Sequence, residues 1–311
     1  MAAIAPATGE NRRGKAALFL IACSWAGALP HWFEPAKSLF PAITLAFVLG
    51  GYGLRTVFLR DRKKQITRKN KSFIPLLPLE NLPSVDVLVA ARDEEAVVGN
   101  LVKRLSGLQY PAEKLSICVI DDGSQDRTSD LLEDLRKQFN NLSVIRRPVN
   151  ATGGKSGALN KALKQIEAEW VLILDADAQL ERDSLHRLVS YALKGNWSAV
   201  QLRKSVVNTN CNFLTQCQAM EMAMDAVIQE GRSLLDGVVE LRGNGQLLHK
   251  TILDKCGGFN EDTVTDDLDL SFRLLLSGAK TGILWDPPVY EEAVENIPSL
   301  WKQRQRWAEG G

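Results

Sequence analysis

The chain has 311 residues, of which 45% are hydrophobic and 24% are charged. This composition excludes a disordered protein, and the length suits one large α/β domain with an appendage or two modest domains. The net charge of +1 gives no overall attraction to nucleic acid, so no nucleic-acid partner is expected. The five cysteines lack zinc-ligand spacing and the three histidines lie far apart, which argues against a zinc site or a Ser-His-Asp triad.

Two apolar runs lie near the start of the chain. No charged residue occurs between Lys15 and Glu34, and residues 39–59 contain Arg55 as their single charge. A membrane-spanning helix takes roughly 17–25 residues, and basic residues flank both outer ends, which places those ends in the cytoplasm. We expect residues 1–64 to form a hairpin of two transmembrane helices, with the following domain cytoplasmic. Two buried helices of a soluble protein are the alternative.

A change of pattern follows the apolar runs. Residues 65–83 are predicted to be a linker, because Pro75, Pro78 and Pro83 interrupt any helix there. Strands rich in β-branched residues then alternate with amphipathic helices over residues 84–296. This alternation predicts an α/β domain in which helices cover both faces of a parallel sheet.

Acidic residues follow three of the predicted strands. Glu94 follows the first strand, Asp121 and Asp122 end the second, and Asp175 and Asp177 follow the fourth. Ligands bind at the carboxyl ends of the strands in such sheets. A single acid there would more often be a turn residue or a helix cap. Acids at three strand ends indicate a ligand site, because clustered carboxylates repel one another unless a cation or ligand needs them.

The Asp175-Ala176-Asp177 triplet has the chemistry of a metal site. Mg²⁺ and Mn²⁺ prefer carboxylate oxygens and bridge to phosphates, so the pair suits a metal that neutralises a diphosphate leaving group. A DxD triplet is common by chance and is weak evidence alone.

A glycine turn at Gly153-Gly154 leads into Lys155 and a predicted helix. The turn lacks the GxxxxGK[ST] spacing of a Walker motif, because position 149, where the first glycine would stand, is Val. The turn is predicted to bring Lys155 to a phosphate, and an ordinary helix start with an exposed lysine is the alternative.

Three acids occur in the segment Thr265–Leu270, where a helix is predicted to begin. They either cap the helix or include a general base for a hydroxyl nucleophile.

The segment from Gln303 to Trp307 is basic and aromatic. It is either an interfacial amphipathic helix or a phosphate-binding arginine beside an acceptor-stacking tryptophan.

In this order, the strand-end acids, the DxD, the T-[ED]-D and the Q-x-x-R-W resemble the membrane-bound family 2 glycosyltransferases over residues 84–311. The resemblance implies a GT-A fold, a UDP-sugar donor, Mg²⁺ or Mn²⁺, and inverting transfer. It implies that residues 297–311 begin a C-terminal interfacial and membrane region. Two departures are Arg92-Asp93, where many members have Tyr-Asn, and Asp266, where Glu is usual.

The resemblance also assigns site residues. The donor-binding residues it implies are Ala91, Glu94, Asp121, Asp122, Lys155, Asp175, Gln303 and Arg306. The acceptor residues it implies are Gly243, Asn244, Asp266 and Trp307. It implies Asp267 as the general base and Asp175 and Asp177 as the metal ligands.

A narrower resemblance is to family members that glucosylate diacylglycerol. It rests on residues 11–18, 151–160, 240–246 and 306–311. It implies transfer of glucose from UDP-glucose to 1,2-diacylglycerol, with the membrane as the source of the acceptor. Two alternatives stay open: a processive polysaccharide synthase of the cellulose or hyaluronan synthase type, and an inactive nucleotide-sugar-binding protein.

Overall fold

The computed structural model describes residues 18, 21–25, 27, 39–70, 76–235 and 237–310. Its contacts divide the chain into two units, Ala7–Lys71 and Ser72–Gly311.

The N-terminal unit contains helix α1, Leu39–Asn70. Its stretch Ala42–Asp61 is long and apolar enough to cross a membrane, with a mean hydropathy of 1.6 and no part of it buried. Large apolar side chains such as Phe47 and Leu54 are exposed along it. This stretch is the one such candidate among the described residues, so the predicted pair of spans is not confirmed. Most of the first predicted span lies outside those residues.

The linker starts later than predicted, because α1 continues through residue 70. Residues 55–70 contain no Gly or Pro, and Arg, Lys and Gln are good helix formers, so nothing local ends the helix at residue 64.

The C-terminal unit is built on a seven-stranded sheet in the part of the chain that the structure describes, with the order β3-β2-β1-β4-β6-β5-β7. The strands are β1 Val85–Ala91, β2 Leu115–Asp121, β3 Leu142–Arg146, β4 Trp170–Leu174, β5 Ala199–Val206, β6 Gln246–His249 and β7 Thr281–Glu291. The neighbouring strands pair in parallel, except that β6 is antiparallel to both β4 and β5. The predicted α/β fold with a mostly parallel sheet is confirmed.

Helices cover both faces of this sheet. They are α2 Val98–Ser106, α3 Thr128–Gln138, α4 Gly154–Leu163, α5 Ser184–Lys194, α6 Phe213–Leu234, α7 Lys250–Lys255, α8 Asp266–Leu276 and α9 Ile297–Gly310. Val87 and Val89 of β1 belong to a core cluster that includes α2 and α5. Leu88, between them, belongs to a second cluster with α4 and α8. Alternate side chains of a strand point to opposite faces, so each face of β1 has its own core.

Candidate functional site

The carboxyl ends of β1, β2 and β4 lie side by side. Ala91 is in register with Asp121, and Val89 with Leu174, so the residues that follow these strands emerge at one edge. The backbone N–H of Asp122 donates to the carbonyl of Ala91 at 2.8 Å. The structure therefore brings together the three groups of acids that the sequence predicted would share an edge.

The loops after β1 and β2 are joined by side-chain to backbone hydrogen bonds. Asp93 has a φ of 57°. Its N–H donates to Ser124 Oγ at 3.0 Å, and its Oδ1 accepts the N–H of Gln125 at 2.7 Å. The N–H of Glu94 donates to Thr128 Oγ1 at 2.8 Å. These bonds hold Glu94 at the sheet edge, in the position expected to contact a nucleoside.

Asp121 and Asp122 both have partners within the chain. Asp121 accepts the N–H of Ser124 at 2.9 Å and the hydroxyl of Ser129. Asp122 pairs with Arg147 at 2.7 Å, and both side chains are more than nine-tenths buried. Burial raises the pKa of Asp122, and Arg147 acts against this rise.

Lys155 lies in the first turn of α4, after Gly153, whose φ of 80° suits only glycine at low cost. Its Nζ pairs with Asp175 and donates to the carbonyl of Gly243 at 3.2 Å. Burial alone would lower the pKa of Lys155, but the charges of Asp175, Asp266 and Asp267 raise it. The lysine is therefore cationic at the edge where a diphosphate would lie.

Asp177 and Glu94 lie in a field of like charge. Burial first, and then neighbouring carboxylates that include Asp175, raise the pKa of both groups. A divalent cation would relieve this repulsion.

No group of three His, Cys, Asp or Glu residues is placed to hold a metal ion among residues 39–70, 76–235 and 237–310. Two carboxylates still fit Mg²⁺ or Mn²⁺, since such ions commonly bind one or two carboxylates together with substrate phosphates and water.

Asn244 was predicted to line the acceptor site, but its side chain is fully buried. Its Oδ1 accepts the N–H of Asp175 at 3.2 Å, and its Nδ2 donates to Glu291 Oε2 at 3.1 Å. Glu291 in turn pairs with Lys204 at 2.8 Å. A buried amide in this position holds the backbone of Asp175 and has no surface for an acceptor.

Asp267 and Asp266 begin helix α8. A methyl group at Gly243, whose φ is 76°, would lie 3.4 Å from Oδ2 of Asp267 and 3.8 Å from Nζ of Lys155. Burial, and then the charge of Asp266, raise the pKa of Asp267, although the N–H of Leu268 and nearby cations oppose this. A carboxylate with a raised pKa beside a residue that has no side chain has the properties of a general base.

Helix α9 carries Gln303, Arg306 and Trp307. Another residue, Arg304, contacts α6, because its Nη1 donates to Glu221 at 2.8 Å. Within α9, the guanidinium of Arg304 lies 4.4 Å from the ring centroid of Trp307. Arg306 is exposed, and within the described ranges no hydrogen bond or ion pair joins it to the strand-end acids. Its predicted contact with a diphosphate stays a prediction.

The comparison with protein families decides the class of this site. Residues 83–310 match the model described as "Glycosyltransferase like family 2". The chain belongs to this family. The strand-end acids, Lys155 and Asp267 thus lie within a family 2 glycosyltransferase domain.

The chain is similar to three cyanobacterial proteins named beta-monoglucosyldiacylglycerol synthase. It is 42% identical to that of Trichormus variabilis and 43% to that of Nostoc sp., over 98% of this chain and 63% of each relative. It is 42% identical to that of Synechocystis sp., over 97% of this chain and 62% of the relative. The chain thus spans less than two thirds of the length of these relatives.

Solved structures share the fold at low sequence identity. A mannosyltransferase from Pyrobaculum calidifontis in complex with GDP-Man and Mn²⁺ has a TM-score of 0.65 at 21% identity, covering 86% of this chain and 73% of its own. The S. aureus protein TarS in complex with UDP-GlcNAc has a TM-score of 0.53 at 19% identity, covering 69% and 60%. Both likenesses support the GT-A type of α/β fold.

The sequence did not identify Arg147 as part of this glycosyltransferase site. Besides Asp122, its guanidinium donates to the carbonyls of Gly154 (2.9 Å) and Thr152. Arg147 therefore ties the end of β2 to the glycine turn that carries Lys155. Its only signal in the sequence is the basic pair Arg146-Arg147 at the end of the third strand. Such pairs are common on exposed surfaces, so the pair does not indicate a buried arginine.

We expect Arg147→Met to lower the free energy of unfolding by about 3–5 kcal/mol, because removing one partner of a buried ion pair leaves Asp122 charged and unpaired. Denaturant unfolding of the purified protein measures this. Arg146→Met is the matched control, because Arg146 is exposed and should change stability by no more than about 1 kcal/mol. Equal effects of the two substitutions would contradict a buried ion pair.

Proposed function

We propose that this protein transfers glucose from UDP-glucose to 1,2-diacylglycerol and forms β-monoglucosyldiacylglycerol at a membrane surface. Identity of 42–43% to synthases of that name over almost the whole chain supports this assignment. The observation that carries it chemically is the arrangement around Gly243. Asp267, suited to take a proton, and Lys155, suited to hold a phosphate, both have side-chain atoms within 4 Å of a methyl group placed on Gly243.

The donor would bind at the carboxyl edge of the sheet. Ala91, Glu94 and the segment of Asp121 and Asp122 would contact the nucleoside. Lys155 would bind the diphosphate, with Arg306 approaching from α9. These cations would stabilise the negative charge that develops on UDP as it leaves, which is the main electrostatic requirement of the reaction.

The reaction would be a single displacement. Asp267 takes the proton of the free glycerol hydroxyl as the oxygen attacks C1 of glucose from the face opposite UDP. The new bond joins this oxygen to C1, the bond from C1 to the β-phosphate oxygen breaks, and UDP leaves with its electron pair. Attack from the opposite face converts an α-linked donor into a β-linked product.

Asp175 and Asp177 would hold Mg²⁺ or Mn²⁺, which supplies charge neutralisation for the diphosphate when it is bound. Asp175 is also paired with Lys155. Lys155 would therefore contribute positive charge beside the carboxylates that would hold the ion. The Mn²⁺ bound in the structurally similar mannosyltransferase supports this choice of ions.

The acceptor would come from the membrane. Asp266 and Gly243 lie beside Asp267, and Trp307 on α9 would line the same side. The apolar stretch Ala42–Asp61 supports an integral membrane protein. Its catalytic domain would be cytoplasmic, where nucleotide sugars are available.

Product analysis tests this proposal. Membranes that contain the protein are incubated with radiolabelled UDP-glucose and 1,2-diacylglycerol, and the extract is separated by thin-layer chromatography. We expect one chloroform-soluble monoglucosyl lipid with a β-linkage. A water-soluble polymer would show instead a polysaccharide synthase, and no product with any UDP-sugar would indicate a nucleotide-sugar-binding protein without activity.

The raised pKa of Asp267 predicts the pH dependence of transfer. Only the deprotonated form is a base, so kcat falls as the pH decreases through the pKa of this group. The midpoint of the acidic limb should lie above the usual value for aspartate, about 4. A pH profile of kcat at saturating donor and acceptor measures the midpoint, and a limb at or below the usual value would contradict the role of burial.

A further inference from the structure

A groove runs along α8 on the side of the helix next to the end of α6. Its volume is about 230 Å³. Its lining side chains come from the end of α6, the segment before β6, and α8: Arg232, Val238, Glu240, Leu268, Phe272 and Leu275. The groove lies outside the donor site, which is formed by the strand ends and the glycine turn.

The polar groups of this groove are already paired within the protein. Arg232 and Glu240 form an ion pair of 2.5 Å with each other. The hydroxyl of Ser271 donates to the carbonyl of Asp267 at 2.7 Å and accepts the N–H of Leu241 at 2.8 Å. A sugar acceptor needs hydrogen-bonding groups, which this surface has already used. The remaining aliphatic and aromatic lining favours an apolar ligand.

The groove begins one residue beyond the candidate base, and its lining residue Ser271 donates to the backbone carbonyl of Asp267 at 2.7 Å. Leu268 follows Asp267 directly, and Leu268, Phe272 and Leu275 have the i, i+4, i+7 spacing of one helix face. Seven residues of helix extend about 10 Å, at a rise of 1.5 Å per residue. An extended ligand that reached Asp267 with one end would therefore continue along this face of α8.

Part of the groove lining is exposed apolar surface. Phe272 and Leu275 of α8 are 56% and 45% exposed. Further from the groove, towards the start of α6, Phe213, Met220 and Met224 are also exposed, although a helix facing water usually has polar residues there. Apolar surface of this kind marks contact with a partner or a lipid.

We propose that this groove binds one acyl chain of the diacylglycerol acceptor and so places the glycerol hydroxyl at Asp267. The inference rests on the proposed function and adds to it. The groove would select for a long-chain acceptor, and it would disfavour a polysaccharide acceptor, which has no acyl chain to place there.

The test compares 1,2-diacylglycerols of different chain length, dibutyryl, dihexanoyl and dioctanoyl, as acceptors of the purified protein with UDP-glucose. We expect the KM of the acceptor to fall by more than about tenfold from dibutyrylglycerol to dioctanoylglycerol. Each buried methylene group strengthens binding by up to roughly fourfold. Leu275→Trp fills the far end of the groove. It should raise the KM for dioctanoylglycerol about tenfold, the loss of roughly two methylene contacts, and leave dibutyrylglycerol unchanged.

Leu276→Trp is the matched control. It makes the same change one residue further along α8, at a position that does not line the groove, and should keep the wild-type chain-length dependence. An unchanged KM for UDP-glucose shows that each variant is folded. Should Leu275→Trp fail this check, Phe272→Ala replaces it, with an expected rise of several-fold for dioctanoylglycerol alone.

The outcomes separate the two proposals. Transfer to diacylglycerols with the same chain-length dependence in Leu275→Trp and wild type would overturn the groove and leave the proposed function standing. No transfer by the wild type to any diacylglycerol, with UDP-glucose still bound, would overturn both. Loss of chain-length dependence in Leu275→Trp alone would support the groove.

Discussion

Asp267→Asn is expected to reduce glucose transfer about 10²–10⁴-fold, the usual contribution of a general base. Asparagine has almost the same shape and keeps the start of α8, but it cannot take the proton of the attacking hydroxyl. Binding of UDP should remain within about threefold of wild type, because the proposed nucleotide contacts lie at the strand ends. Steady-state kinetics measures the first effect, and calorimetric titration with UDP measures the second.

Asp262→Asn is the control for the change in charge. Asp262 is exposed and precedes α8 by a few residues, so it alters the local charge equally without reaching Gly243. It should behave as wild type in both measurements. If Asp267→Asn lost affinity for UDP as strongly as it lost activity, Asp267 would belong to the donor site and the base would have to be sought elsewhere.

The parts of the site that sequence predicted are those encoded locally. A buried apolar strand followed at once by acids can be recognised within about ten residues, and parallel pairing then brings the strand ends to one edge. This is how Asp121, Asp175 and Asp177 could be placed before the structure was known. Lys155 was found in the same way, because glycines precede it and a helix follows.

The parts that sequence did not predict depend on contacts between distant positions. Asn244 holds the N–H of Asp175 across 69 residues and contacts Glu291 across 47. Each of these residues is ordinary in its own segment, so no local pattern indicates the buried network. The family resemblance placed Asn244 near the acceptor, and its complete burial behind Asp175 supports a positioning role instead.

The antiparallel strand β6 was missed for a related reason. It has four residues and begins with Gln246, so it is too short to show an alternating pattern. Its place between β4 and β5 nevertheless determines the site. The N–H of Gly245 donates to the carbonyl of Ile173 at 3.0 Å, which brings Gly243 and Asn244 to the end of β4. The positions of Gly243 and Asn244 at the end of β4 are therefore set by a strand that only the fold reveals.

Asp177→Asn should remove the metal dependence of donor binding. With Mn²⁺ present, we expect UDP affinity to fall about 10²-fold. Substitution of a residue that only hydrogen-bonds to a metal ligand already lowers metal affinity by roughly 10–100-fold, and Asp177 would be a ligand itself. Without metal, the effect has the opposite sign. Asp177 lies among Asp175, Glu94 and Glu291, and removing one negative charge from this cluster should leave metal-free UDP binding equal or slightly stronger.

The measurement is calorimetric titration of UDP with and without Mn²⁺, for the wild type, Asp177→Asn and Asp134→Asn. Asp134 is an exposed residue of α3 in a solvent-exposed ion pair, so its variant should keep the full response to the ion. An Asp177→Asn protein that still gained affinity from Mn²⁺ would contradict a metal at the DxD. Lys155, which pairs with Asp175, would then be the main cation that holds the diphosphate.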